Sequence, residues 1–127
     1  VCFNKKLLIG ATTLPLEKVV DLIHSENGLA IASHIDREAY SIIGQLGFIP
    51  PGIALDALEF SPRLSSSEVK KRFPQTGSYP LITSSDAHNL EDIGNSSTIF
   101  LMEKVNIGEM KLALMGKGGR KVILAED

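Results

Sequence analysis

The chain has almost no cysteine: one residue, Cys2, in 127. A single thiol forms no internal disulfide, so the fold is expected to rest on a packed core, and the expected compartment is a reducing, cytoplasmic one. Cys2 stands at the end of the chain, where order is poorest, which weighs against a role as nucleophile or metal ligand. Net charge is nearly absent as well, with a formal value of −2. Without a basic footprint, nothing points to general nucleic-acid or membrane-surface binding. No apolar run reaches the length that spans a bilayer, and no stretch reads as a signal peptide. Low-complexity segments and internal repeats are missing too. The 127 residues suit one domain with one core, not two.

What is present is an alternation of periodic segments. LPLEKVVDLIHSENG reads as a helix: Pro15 suits a first helical position, Leu16, Val19, Val20 and Ile23 recur at helical spacing, and Gly28 is the stop signal. LAIAS, from Leu29 to Ser33, is a short apolar run and reads as a buried strand. REAYSIIGQLG is a weaker helix interrupted by Gly44. LDALEF, from Leu55 to Phe60, reads as a strand, and SSSEVKKRF opens a short helix with a capping box from Ser65 to Glu68. YPLITSS and STIFLM read as strands, NIGEMKLALMGKGG as a helix opening at Asn106 and closing on Gly116, and KVILA as a final strand. This order predicts α/β layering with mostly parallel strands alternating with helices.

In such folds, ligands gather at the C-terminal ends of the strands. Three predicted strands finish near polar groups: His34 after LAIAS, Glu59 late in LDALEF, and Asp86 and His88 after PLITSS. Imidazole nitrogens and carboxylate oxygens together suit zinc, manganese or iron, so His34, Asp86 and His88 are the candidate metal ligands. In an extended segment, positions i and i+2 share a face, which would aim Asp86 and His88 the same way. The competing expectation is a solvated turn in which Asp86 caps backbone donors. His24, within an amphipathic helix, reads as a surface or boundary histidine. A Ser85–His88–Asp86 triad is disfavoured, because such close neighbours do not reach relay geometry and no elbow glycines flank the serine.

The ordered set GLAIASHIDR, LDALEFS and ITSSDAHNLEDIG resembles the C-terminal half of the PHP domain family, the polymerase and histidinol phosphatase domains. The resemblance runs from about Leu16 to Leu124, with His34 at the family's strand-ending histidine and Asp86 and His88 at its terminal Ser-Asp-Ala-His. It implies the C-terminal portion of a distorted (β/α)7 barrel, with divalent metal ions (zinc, manganese or iron) at the strand ends. It also implies metal-dependent hydrolysis of a phosphoester: a sugar phosphate, a nucleotide or an oligonucleotide. Arg37 then reads either as a phosphate clamp or as a solvated arginine at a helix start, and Asp36 either as a cap of the next helix or as an acceptor orienting a ligand. Ser84 and Ser85 are expected to fix the loop backbone.

The departures matter equally. The family opens with His-x-His and adds a bridging glutamate, whereas this chain has three histidines, at 24, 34 and 88, and no His-x-His. Glu59 sits in a later motif and is not that glutamate, and the proline usual after the strand-ending histidine is Ile35. The internal-looking start VCFNKKLLIG favours residues 1–127 as a single PHP-like fragment, inactive alone, of a phosphoesterase whose full length meets phosphoester substrates and, in some family settings, nucleic acid. The alternative is a non-catalytic PHP-like interaction module. Either way, a half barrel leaves open strand edges and an interior face with Ile31, Leu58 and Ile82, so self-association is expected, most simply as a two-fold dimer.

Overall fold

The computed structural model describes residues 11–124. Cys2 and the rest of the opening decapeptide lie outside the described residues, as does Ala125 at the end of the expected last strand. Helix α1 (Leu16–Ser25) buries Val20 and packs Leu16 and Ile23 against the core. Pro15 is the residue before the helix, with an extended ψ of 151°, and not its first turn. The stop signal also works differently from expectation. Asn27 takes the left-handed conformation, at φ 59°, while Gly28 N–H reaches the Ile23 carbonyl at 2.8 Å and Asn27 N–H the His24 carbonyl at 3.0 Å. This is a Schellman closure, with asparagine as the left-handed residue. Gly28 is needed for space, because a Cβ there would stand 2.9 Å from Ile23 Cγ2.

Strand β1 (Ile31–Ala32), strand β2 (Ala57–Phe60) and strand β3 (Leu81–Thr83) form a parallel sheet in the order β1-β2-β3. Between β1 and β2 lies α2 (Ile42–Leu46), half the length expected, because Ser41 caps it by accepting the Gly44 N–H at 2.9 Å. Gly44 does not interrupt this helix. The Glu38 carbonyl passes so close that a side chain at Gly44 would overlap it. Helix α3 (Ser66–Arg72) carries the expected Ser65–Glu68 capping box and buries Val69 completely.

Residues in register share a face, which places Ala32, Leu58 and Leu81 on one side of the sheet, with Phe60 and Thr83 two positions on. That side is the core, where Leu58, Phe60 and Leu81 meet Val20, Val69 and Leu124. Ile31, Ala57, Glu59 and Ile82 occupy the opposite face, where both isoleucines are half-buried. Leu58 therefore does not share a face with Ile31 and Ile82; a one-residue difference in phase reverses the side.

The C-terminal part departs from a parallel pattern. Strand β4 (Thr98–Leu101) and strand β5 (Lys121–Leu124) pair antiparallel as a separate two-stranded sheet, with α4 (Ile107–Leu114) between them. Left-handed Gly116, Gly118 and Gly119 turn the chain between α4 and β5. The Thr98 side chain ties this ribbon to β3: Thr98 Oγ accepts the Thr83 N–H at 2.8 Å and donates to the Thr83 carbonyl at 2.7 Å. The described residues are thus a mixed α/β structure around a three-stranded parallel sheet, and they do not close a barrel. Among them no helix is long and apolar enough to cross a membrane.

Candidate functional site at the C-terminal sheet edge

Each parallel strand delivers a polar loop to the same edge of the sheet. His34 follows β1, Glu59 is the penultimate residue of β2, and Asp86 follows β3. The loop after β1 bends across the end of β2: Ile35 N–H bonds the Glu59 carbonyl at 2.9 Å, and the Ile35 side chain is buried. A core isoleucine thus anchors the position where the resembled family usually has proline. Asp36 does not cap α2, whose cap is Ser41. Its carboxylate accepts the Ser61 N–H at 2.8 Å and the Ser61 hydroxyl at 2.5 Å, fastening this loop to the chain leaving β2.

That fastening brings Arg37 to Asp86, and the contact spans the sheet from the loop after β1 to the loop after β3. Arg37 Nη1 stands 2.7 Å from Asp86 Oδ2. The contact is ionic without hydrogen-bond alignment, so Asp86 Oδ2 and Arg37 Nε are both buried atoms with no hydrogen-bond partner. His34 Nδ1 is the third such atom. His34 and Asp86 also hold left-handed backbones, at φ 26° and 47°, which non-glycine residues rarely adopt. Strain of this kind persists only where surrounding structure imposes it, and it concentrates at functional sites.

The left-handed Asp86 overturns the extended-segment argument for His88. That imidazole is 79% exposed, with Nε2 3.9 Å from Asp86 Oδ1. It lines a shallow cleft with Leu90 and Ile93 instead of turning inward. Among the described residues no three His, Cys, Asp or Glu side chains are grouped so as to hold a metal ion. Ser85 does fix its loop, donating to the Ser96 carbonyl at 3.1 Å and accepting the Gly94 N–H at 2.8 Å. Ser84 instead donates to Glu59, joining the ends of β2 and β3.

A second polar cluster lies at the other end of β2. Asp56, with a side chain 9% exposed, accepts the Ala30 N–H at 2.8 Å and pairs with His24 Nε2 at 2.7 Å and Lys111 Nζ at 3.3 Å. Burial pushes this carboxyl up, but the bonds from His24, Ala30 and Lys111 outweigh it and hold the group below the usual carboxylate range. His24 is therefore a partly buried structural partner. The signal that could have found the pair is Asp56 directly before an apolar strand, where a carboxylate needs a donor.

Residues 70–111 match the family model described as PHP-associated, which supports a C-terminal PHP domain region there. The matched stretch includes β3, Asp86, His88 and β4, and leaves His34 and Arg37 outside it. The chain is similar to the uncharacterised protein YqxK of Bacillus subtilis (strain 168), at 30% identity over 120 residues. The aligned part is 91% of this chain and spans 30% of that relative's length.

Proposed function

We propose that the chain supplies the C-terminal edge of a metal-dependent phosphoesterase site, completed by further parts of a PHP barrel. The observation that carries this is a pair of buried nitrogens without a hydrogen-bond partner, His34 Nδ1 and Arg37 Nε, beside the Arg37–Asp86 ion pair that joins two loops of one sheet edge. Unsatisfied buried polar atoms are costly, and a site that receives a ligand is one reason to keep them. The nitrogen and oxygen donors are of the kinds that hold zinc, manganese or iron: His34 and Asp86 stand at this edge, and His88, which faces outward here, would have to turn inward to join them. A bound divalent ion supplies an activated water and charge neutralisation for phosphoester hydrolysis. Arg37 binds the phosphate: its Nε–H lacks an acceptor in the protein, and a phosphate oxygen provides one. Asp86 holds that guanidinium in place, and Asp36, through Ser61, holds the loop that bears it.

The test uses the complete polypeptide that carries this sequence, assayed with a generic phosphoester and manganese. Arg37→Ala should lower kcat/KM by about 100-fold, the loss typical of removing one charge-stabilising donor. Asp86→Asn and His88→Ala should each reduce the metal retained after dialysis. Unchanged metal content and turnover in both variants would reject the site. A non-catalytic interaction module is favoured instead by the exposed apolar side chains of Leu90 and Ile93 beside His88. It predicts no turnover in the complete polypeptide at any metal loading.

A further inference from the structure

A cleft of about 470 Å³ opens next to Arg37, lined also by Arg63 and Arg72 and by Asp36, Glu38 and Ser61. Its size falls within the usual range for small-molecule sites. Three guanidinium groups face two carboxylates there, and one of those, Asp36, already accepts two hydrogen bonds from Ser61. Arg37 is held by Asp86. Arg63 and Arg72 have no ion pair among the described residues. Both sit where the chain enters and leaves α3, Arg63 in the preceding loop and Arg72 in the last turn. Arg72 lies over the Phe73 ring, 5.7 Å from its centroid. Stacking occupies the face of a guanidinium and leaves its N–H edge available. Positive groups on the wall of a concavity also concentrate potential for an anion.

We infer that this cleft is a second anion subsite, in which Arg63 and Arg72 receive a phosphate that the substrate carries apart from the ester beside Arg37. The inference rests on the phosphoesterase reading and narrows its substrate class to phosphoesters bearing a second phosphate. A phosphate suits the site better than a carboxylate. One guanidinium fork saturates the two oxygens of a carboxylate, whereas a terminal phosphate offers a third oxygen to a second fork. Glu38 in the cleft and Glu68, which acts electrostatically on Arg72 from one turn back on α3, are the opposing charges, and removing Glu38 should raise affinity.

Equilibrium titration of the complete polypeptide in chelator, so that nothing is hydrolysed, compares propanediol bisphosphate with propyl phosphate. The bisphosphate should bind at least about tenfold more tightly, the scale of a charge-assisted hydrogen bond. The double variant Arg63→Gln/Arg72→Gln should lose that preference and keep its affinity for propyl phosphate. Glu38→Gln should enlarge the preference. All three side chains are exposed, so folding should survive, and a thermal melt checks it. Equal or undetectable affinity for the two ligands in the unaltered protein, or a preference that survives the double variant, overturns the subsite. Failure to hydrolyse propanediol bisphosphate when manganese is restored, alongside an intact preference, upholds the subsite and rejects the esterase.

Discussion

Asp56 shows how one side chain ties distant parts of the chain together. It collects a backbone donor before β1, a histidine on α1 and a lysine on α4, at the end of the sheet opposite the candidate site. Because its folded pKa lies below its unfolded one, its contribution is present above the unfolded value, near pH 4. It is lost as pH falls through the lowered folded value. Acid titration followed by circular dichroism should show stability declining below about pH 4, with the decline blunted in Asp56→Asn. Asp56→Ala should cost about 2–4 kcal/mol in urea denaturation, because His24 and the Ala30 N–H lose their acceptor. At the candidate site the same scale explains the disagreement over His88. Its neighbour Asp86 turned left-handed, and no local pattern in SSDAH announces that turn.

Elements here are short, and their ends carry much of their definition. Ser65 accepts the Glu68 N–H at 3.3 Å while the Glu68 carboxylate takes the Ser65 N–H at 2.8 Å. Ser65→Ala should therefore lower stability by about 1 kcal/mol, read as a shifted denaturation midpoint. The Ser65 N–H, and after it the Ser65 hydroxyl donating to the same carboxylate at 2.8 Å, hold the Glu68 carboxyl below its ordinary value. Gly44→Ala tests the other kind of end. In an exposed helix that change gains about 1 kcal/mol from propensity alone. Here it should destabilise instead, because the new methyl meets the Glu38 carbonyl and loosens the loop that carries Arg37. A stabilised Gly44→Ala protein would show that this loop yields freely. Arg120, directly before β5, donates to both carboxylate oxygens of Glu109 on α4 at 3.0 Å and pins the glycine-rich return into that strand.

Across the whole molecule, the sheet has one well-packed side and one partly open side. Leu58 and Phe60 are 0% and 1% exposed, while Ile31 and Ile82 on the other face remain half-buried and β1 pairs only with β2 among the described residues. The outer face of the β4–β5 ribbon also shows Ile99 and Leu101, 54% and 50% exposed. Light scattering of this chain alone at micromolar concentration should therefore report a dimer or larger species. A monodisperse monomer would mean that the ribbon tied to β3 covers enough apolar surface by itself. The isolated chain should also show little or no phosphoester turnover with manganese, since its few donors leave most of a metal's coordination to water. Robust turnover abolished by His88→Ala would reverse that expectation.

Local chemistry in the sequence determined much of this. The runs LAIAS and PLITSS became parallel strands on either side of LDALEF, the Ser65–Glu68 pair capped its helix, and the residues after those strands reached one edge. These features depend on neighbours within a few positions, which a linear reading sees. Tertiary structure decided what depends on partners far away in the chain. Ser61 captured Asp36, 25 positions earlier, and in doing so brought Arg37 to Asp86. Thr98 docked on Thr83 and made the tail an antiparallel ribbon. Arg63 and Arg72 meet Arg37 around one cleft only because α3 packs Val69 into the core beside that loop. A carboxylate or guanidinium has the same local signature whether its partner is water or a residue folded against it, so only the packed chain distinguishes the two.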